Sequence, residues 1–164
     1  MKKILAVLLT VVFLSPAFAS GGSDEGRNLL EFRSLAAVVP PFTGPTNAIR
    51  GIGGAGAPWK IASARAELNS AGELEVRVRG LVLVNSGTNP IANFAAILSC
   101  QSFDAAKAPT IVNLVAGTAP ATAGGDSDIE GTVTLPSPCF APIIFVAIPA
   151  TATAPARWLA VSGF

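Results

Sequence analysis

The sequence predicts a single antiparallel β-sandwich of about eight strands that follows a cleaved N-terminal signal peptide. Short apolar runs rich in Val, Ile, Leu and Phe are separated by clusters of Gly and Pro, which together number 29 of the 164 residues. Short runs between turn signals are typical of all-β sandwiches. In addition, the run Glu73–Arg79 alternates strictly between charged and apolar residues, which indicates a half-buried strand.

The N-terminal segment has the order of features of a secretory signal peptide. Lys2 and Lys3 precede an apolar run from Ile4 to Leu14, and Ala17-Phe18-Ala19 supplies small residues at the two positions that signal peptidase reads. The apolar run is about eleven residues long, whereas a membrane-spanning helix needs about 20. We therefore expect cleavage after Ala19, a secreted or extracytoplasmic protein, and no transmembrane span in the mature chain. The expected organisation is a signal peptide over residues 1–19, a flexible segment over residues 20–28 and a sandwich domain over residues 29–164.

Eight strands are predicted along the domain. They are Leu29–Val39, Lys60–Leu68, Glu73–Val84, Phe94–Cys100, Thr110–Ala116, Ile129–Leu135, Ile143–Ile148 and Trp158–Val161. The stretch from Ala57 to Ala71 is rich in alanine and is also compatible with a helix, but the two-residue spacing of Arg65 and Glu67 favours a strand. The run Ile143–Ile148 is apolar on both faces, which predicts a central strand.

The second and third predicted strands should form a hairpin. The alternation of Ala62–Leu68 matches that of Glu73–Arg79, and the four residues between them end in Gly72, which suits a left-handed backbone position in a short loop. This loop length places the alanines and Leu68 on the same face as Leu74, Val76 and Val78. It also places Arg65 opposite or diagonal to Glu75.

Two cysteines, Cys100 and Cys139, are present in a chain that we expect to be exported. In an oxidising compartment they have one possible pairing, a disulfide that closes a loop of about forty residues. A bond across such a loop contributes roughly 3–4 kcal/mol on the chain-entropy model. Two thiols without histidine are too few for a closed zinc site, so we predict the disulfide.

The charged residues exclude several classes of function. Loss of Lys2 and Lys3 with the signal peptide leaves nine basic residues against ten acidic ones, a net charge of −1. Basic clusters, which nucleic acid or anionic lipid would require, are not found.

The chain also has no histidine, which excludes Ser-His and Cys-His nucleophile pairs and histidine metal ligands. We therefore expect no catalytic activity and no cofactor. The alternative is a small exported hydrolase that uses a carboxylate pair, with candidates Glu67, Glu73, Glu75, Asp104 and Glu130.

Residues 51–56 formally satisfy the dinucleotide-binding pattern G-x-G-x-x-G. That motif requires a strand directly before it and a helix directly after it, so that the phosphates meet a helix N-terminus. Here the preceding residues make a poor buried strand, and Pro58 stands where the helix should continue. We therefore interpret the segment as a glycine-rich loop between strands.

Two further groups of residues are candidates for binding. The acids Asp126, Asp128 and Glu130 alternate after Gly124-Gly125 and are calcium candidates, although the spacing of an EF-hand is missing and a polar loop entering a strand is the simpler explanation. Trp59 and Trp158, with Phe103 and Phe140 near loops, are candidates for an aromatic ligand platform. Tryptophan side chains of this kind more often pack in a core.

The low charge of the chain points to an interaction role. Only 13% of the residues are charged and 51% are hydrophobic, against about 25% charge in typical domains. We expect some exposed apolar surface, which marks interaction sites. The leading hypothesis is an exported, non-catalytic structural or binding module at the cell surface or in the extracellular space, which associates with itself, an unidentified protein or the envelope. A small outer-membrane β-barrel is the other alternative, favoured by the terminal Phe164 and opposed by the prolines, the cysteine pair and the lack of tyrosine.

Overall fold

The computed structural model describes residues 27–163, and all the regular secondary structure in this range is β-strand. The predicted signal peptide, residues 20–26 of the predicted flexible segment, and Phe164 lie outside the described residues. The first strand begins at Asn28, one residue before the predicted start of the domain. The strands are β1 (Asn28–Phe32), β2 (Leu35–Ala37), β3 (Trp59–Lys60), β4 (Ser63–Asn69), β5 (Glu73–Arg79), β6 (Val82–Leu83), β7 (Asn93–Phe103), β8 (Pro109–Pro120), β9 (Ser127–Thr132), β10 (Phe140–Ile148) and β11 (Arg157–Ser162).

The strands form two main antiparallel sheets, as the sequence predicts for a sandwich. The four-stranded sheet has the order β1-β4-β5-β9, and the five-stranded sheet has the order β2-β11-β10-β7-β8. The short strands β3 and β6 form a separate two-stranded ribbon. Within residues 27–163 none of these sheets closes on itself, so each main sheet has two edges.

Three of the predicted strands are each divided in two, which accounts for eleven strands in place of eight. The predicted strand Leu29–Val39 is broken at Arg33-Ser34, where the chain leaves the four-stranded sheet as β1 and joins the five-stranded sheet as β2. The predicted strand Glu73–Val84 is broken at Gly80, whose φ of +66° turns the chain between β5 and β6. Similarly, residues 61–62 separate β3 from β4. Apolar residues stand on both sides of each break, so the hydrophobic pattern alone could not locate the breaks.

The predicted hairpin is confirmed as β4 and β5. Gly72 has a φ of +84°, the left-handed conformation that its position in the loop requires. The inward side chains of both strands are buried, whereas Ala62 precedes β4 and is exposed. Arg65 lies directly opposite Arg77 and diagonal to Glu75. The register therefore places like charges opposite each other on the outer face, the face turned away from the other sheet.

Side chains from both sheets form one core, and the sheets approach most closely where β8 crosses β9. A Cβ atom added to Gly117 would lie 2.2 Å from the carbonyl oxygen of Glu130, and one added to Gly131 would lie 2.0 Å from that of Ala116. Neither glycine could be replaced without moving backbone. The largest fully buried side chains are Val38, Leu68, Leu74, Val76, Val78, Leu81, Phe94, Leu98, Ile129, Ile144, Phe145 and Leu159.

The central strands β7 and β10 are buried on both faces, as predicted for Ile143–Ile148. Leu98 and Ile144 are opposite each other on the inner face, and Ile97 and Phe145 are opposite each other on the outer face. All four side chains are at most 3% exposed. The outer face is covered by residues 38–58, hereafter the covering segment. Phe42 of this segment packs on Trp158, which also contacts Phe145, with ring centroids 6.4 Å apart in both pairs.

The predicted disulfide between Cys100 and Cys139 is confirmed. Cys100 lies in β7 and is fully buried, while Cys139 directly precedes β10. Because Gln101 is opposite Phe140 in the ladder, the bond joins two neighbouring strands of the five-stranded sheet at the end where β7 turns into β8.

Candidate binding surface

The covering segment protects only part of the outer face of the five-stranded sheet. Arg50 is the residue of this segment that reaches across the sheet to β7. Its guanidinium donates hydrogen bonds to the carbonyl oxygens of Ser99 at 2.8 Å and Ala141 at 2.5 Å. The carbonyl of Arg50 accepts a bond from Asn113 Nδ2 in β8 at 3.0 Å. Partial burial lowers the pKa of Arg50 from its ordinary value, but the group stays charged. Arg50 thus fixes the border between covered and exposed sheet.

Beyond that border, four large apolar side chains are exposed on the outer face. We call Phe103, Ile111, Val115 and Phe140 the apolar patch. They are 49%, 41%, 61% and 53% exposed, respectively. The rings of Phe103 and Phe140 pack edge to face with centroids 6.2 Å apart, and the exposed polar residues Gln101 and Asn113 lie among the four apolar side chains. Exposed apolar patches of this kind mark interaction sites.

The patch borders the edge strand of the sheet. β8 is twelve residues long, pairs with β7, and carries no charged residue. From residue 110 to residue 115 its other side pairs with no strand among residues 27–163, and we call this backbone the open edge. The inward side chains of Val112 and Leu114 are only partly buried, consistent with the strand's position at the border of the core. Proteins usually protect long edges with charges or prolines, and here Pro109 and Pro120 stand only at the two ends.

The glycine-rich loop has a packing role in this structure. Arg50 and Gly51, with φ of +49° and +80°, form a tight turn between the bridged residues Ile49 and Ile52. Gly54 then forms an isolated bridge with Trp158 in β11, and a Cβ atom added to Gly54 would lie 2.0 Å from the carbonyl oxygen of Phe42. The glycines therefore allow the covering segment to lie against the sheet, as expected for a loop between strands.

The outer face of the four-stranded sheet is charged. The register places Glu31, Glu67, Glu75 and Glu130 in one row across all four strands. This glutamate row borders a surface depression of about 580 Å³, which Asn28, Asn69, Glu73 and Thr132 also line. Four of the five carboxylates considered for a hydrolase are thus brought together. The fifth, Asp104, lies in the β7–β8 turn, where its Oδ1 accepts hydrogen bonds from the N–H groups of Ala106 and Ala108.

Arginine side chains lie beside the glutamate row. Arg77 donates a hydrogen bond to Glu75, which raises the pKa of the guanidinium. Arg79 binds Asp128, with Nη1 to Oδ1 at 2.8 Å. This bond raises the pKa of Arg79 and lowers that of Asp128. These groups are exposed, so water and salt screen the pairs.

The three calcium candidates have other partners in this structure or lie in the glutamate row. Asp126 Oδ1 accepts a hydrogen bond from the N–H of Gly80 at 2.9 Å, Asp128 binds Arg79, and Glu130 belongs to the glutamate row. Over residues 27–163 no group of three or more carboxylates, thiols or imidazoles is arranged to hold a metal ion. Calcium binding by these acids stays a prediction from the sequence.

Of the four aromatic residues considered for a platform, only the phenylalanines are accessible. Trp59 and Trp158 are 3% and 2% exposed, respectively, and neither presents a ring face to solvent. Phe103 and Phe140, in contrast, belong to the apolar patch. Ile111 and Val115 were not considered as site residues. The sequence feature that could have identified them is the absence of charged residues from residue 108 to residue 125, together with apolar residues on both faces of β8.

None of the secondary structure described for residues 27–163 is a helix long and apolar enough to cross a membrane. No family model matches the chain, and neither a curated protein nor a solved structure is significantly similar to it.

Proposed function

We propose that the protein is an extracytoplasmic, non-catalytic binding module that engages a protein partner through the apolar patch and the open edge of β8. The observation that carries this proposal is the position of the patch. Four exposed apolar side chains lie beside a strand edge whose backbone groups can extend the sheet. Addition of a partner's strand to a sheet edge is a common mode of recognition, in which backbone bonds give affinity and neighbouring side chains give specificity.

The disulfide supports the proposed location, because such bonds form and persist in oxidising compartments. The charge distribution supports a protein partner. The charged residues of the described sheets lie mainly on the outer face of the four-stranded sheet, whereas β8 carries none. A partner that pairs with β8 therefore meets backbone and apolar side chains, which suit a peptide strand better than a polyanion.

The test is retention of a partner by the mature, oxidised protein. Residues 20–164, immobilised, are incubated with envelope and culture fractions of the source cells, beside the variant F103S/F140S. The matched control is Val84→Ser. Val84 is 49% exposed but directly follows β6, outside the apolar patch. We expect the wild type and V84S to retain the same protein and F103S/F140S to lose it. Equal retention by all three, or no retention, would refute the proposal, and melting curves establish that each variant is folded.

A specific observation favours a second candidate function, a hydrolase that uses a carboxylate pair. The register places Glu67 and Glu75 directly opposite each other beside the depression of about 580 Å³, and glycosidases require two carboxyl groups about 5–10 Å apart. The test is release of chromophore from a panel of aryl glycosides. Loss of activity in E75Q but not in D104N would support this candidate, and no turnover by the wild-type protein would eliminate it.

A further inference from the structure

We propose that the partner at the open edge is a second copy of this chain, paired antiparallel with its own β8 about a two-fold axis at Asn113. This inference rests on the proposed function, because it assigns an occupant to the same surface. The product is one continuous sheet of ten strands, five from each copy. Three properties of the open edge lead to this partner and to this register.

First, the β7–β8 ladder determines which backbone groups face outward. The N–H of Asp104 donates to the carbonyl of Ala108 at 2.9 Å, so residues 104 and 108 face each other as a hydrogen-bonded pair. Along an antiparallel ladder, hydrogen-bonded and non-hydrogen-bonded pairs alternate. In β7 the non-hydrogen-bonded positions are therefore residues 103, 101, 99 and 97. The register pairs them with residues 109, 111, 113 and 115 of β8. Ile111, Asn113 and Val115 thus direct their N–H and C=O groups away from β7.

Second, pairing about Asn113 satisfies all six of these outward groups. The two Asn113 residues exchange two hydrogen bonds, and each Ile111 exchanges two with Val115 of the other copy. A register centred on residue 112 would place Val115 opposite Pro109, which has no N–H to donate. Residues directly opposite each other point to the same face of a sheet, so the outer faces of both copies lie on the same side only when the two paired residue numbers have an even sum. The registers centred on residues 112 and 113 both meet this condition. Of these two, only the register centred on Asn113 pairs every outward N–H and C=O group.

Third, the same register matches apolar side chains with apolar side chains. On the outer face Ile111, 41% exposed, meets Val115, 61% exposed, on each side of the axis. On the inner face the partly buried Val112 meets Leu114. No charged residue stands between residues 108 and 125, so nothing on the strand repels its own copy. A two-fold interface of this kind is the commonest in soluble oligomers.

The extent of the edge determines the strength of the dimer. From Ala116 onward the close crossing with Gly131 brings β9 against β8, which limits the pairing to residues 111–115. The interface is therefore at the small end of the specific class, below about 1,200 Å². We expect a weak, concentration-dependent dimer.

The experiment is sedimentation equilibrium of the mature, oxidised chain over a range of concentrations. The variant I111P removes an outward N–H that makes no bond to β7, and Val115→Lys places a charge beside Ile111 of the other copy. The matched control is Thr118→Lys, since Thr118 is exposed on β8 but lies beyond the crossing. We expect I111P and V115K to weaken the dimer by at least about tenfold and T118K to leave it unchanged. The melting temperature of each variant establishes that it is folded.

Oxidative cross-linking tests the register. Both native cysteines are in the disulfide, so an introduced thiol is the only one available. Residues paired across the ladder have Cα atoms about 5.5 Å apart, within the range of a disulfide. We expect Asn113→Cys to form a covalent dimer, Ile111→Cys alone to form none, and the double variant I111C/V115C to form one. Preferential cross-linking of I111C alone would overturn the register.

Two outcomes would overturn the second copy as partner: a monomer at every concentration, or a dimer that is insensitive to both I111P and V115K. If a monomeric protein still retains a different protein in a way that depends on Phe103 and Phe140, the proposed function stands and only this inference fails. If it retains nothing, both fail.

Discussion

The outer faces of the two main sheets differ in kind although they belong to the same sandwich. The four-stranded sheet presents charged side chains to solvent, including a row of four glutamates. The five-stranded sheet presents apolar side chains, part of them beneath the covering segment and part exposed as the apolar patch. Both sheets contribute side chains to one core, and the core does not require this difference between the outer faces. The charged face is suited to water, whereas the apolar face is packed beneath the covering segment at β10 and exposed at β8.

The largest expected effect concerns the disulfide, which stabilises the apolar sheet. Replacing both Cys100 and Cys139 by alanine should lower the free energy of unfolding by about 3–4 kcal/mol, because the unfolded chain regains the freedom of a loop with a sequence separation of 39. The measurement is urea denaturation, with the reduced wild-type protein as the control. A loss below about 1 kcal/mol would mean that packing alone holds β7 and β10 together.

A second, smaller effect tests the covering segment. Gly54→Ala should destabilise the protein by about 1–3 kcal/mol, because the added Cβ would lie 2.0 Å from the carbonyl oxygen of Phe42. Gly56→Ala is the matched control, since a Cβ there meets no atom within 4 Å. Denaturation midpoints compare the two. Equal midpoints would show that the segment adjusts easily and that the outer face of β10 is less firmly covered than the structure indicates.

On the charged face the expected effects are small and depend on salt. Glu67 stands between Glu31 and Glu75 in the glutamate row, and like charges directly opposite each other destabilise a sheet. Glu67→Gln should therefore stabilise the protein by about 0.5 kcal/mol at neutral pH and low ionic strength, with little effect at high salt. Glu73→Gln, outside the row and opposite Thr132, is the control. Stabilisation that persists in high salt would rule out charge repulsion as its cause.

The smallest effect is the pH dependence of the Asp128–Arg79 pair. Arg79 lowers the pKa of Asp128 in the folded protein, so the pair stabilises the fold above the unfolded value of about 4 and loses this contribution as the pH falls through the lowered pKa. Asp128→Asn should therefore be slightly less stable than wild type at pH 7 and equally stable at the lowest pH. A difference that does not change with pH would assign the effect to packing.

The sequence predicted most of the four-stranded sheet because one face of it meets water. Strict alternation in Glu73–Arg79 determined the strand and its buried side, and Gly72 located the turn. In β8 the same reasoning was less informative. Ile111 and Val112 are both apolar, and only the register with β7 shows that Ile111 faces outward. The breaks at Arg33-Ser34 and Gly80 were also missed, since apolar alternation does not report the change from one sheet to another.

The sequence by itself determined the all-β class, the hairpin and the disulfide, because periodicity, turn residues and a single pair of cysteines are local or have one solution. Only the tertiary structure decided which glutamates form a row, that the glycine loop packs against β11, and that Phe103 and Phe140 join Ile111 and Val115 in one patch. These arrangements depend on strand order and register, which bring together residues far apart in the chain. The low charge predicted an apolar surface, and the position of β8 at the sheet edge decided where it lies.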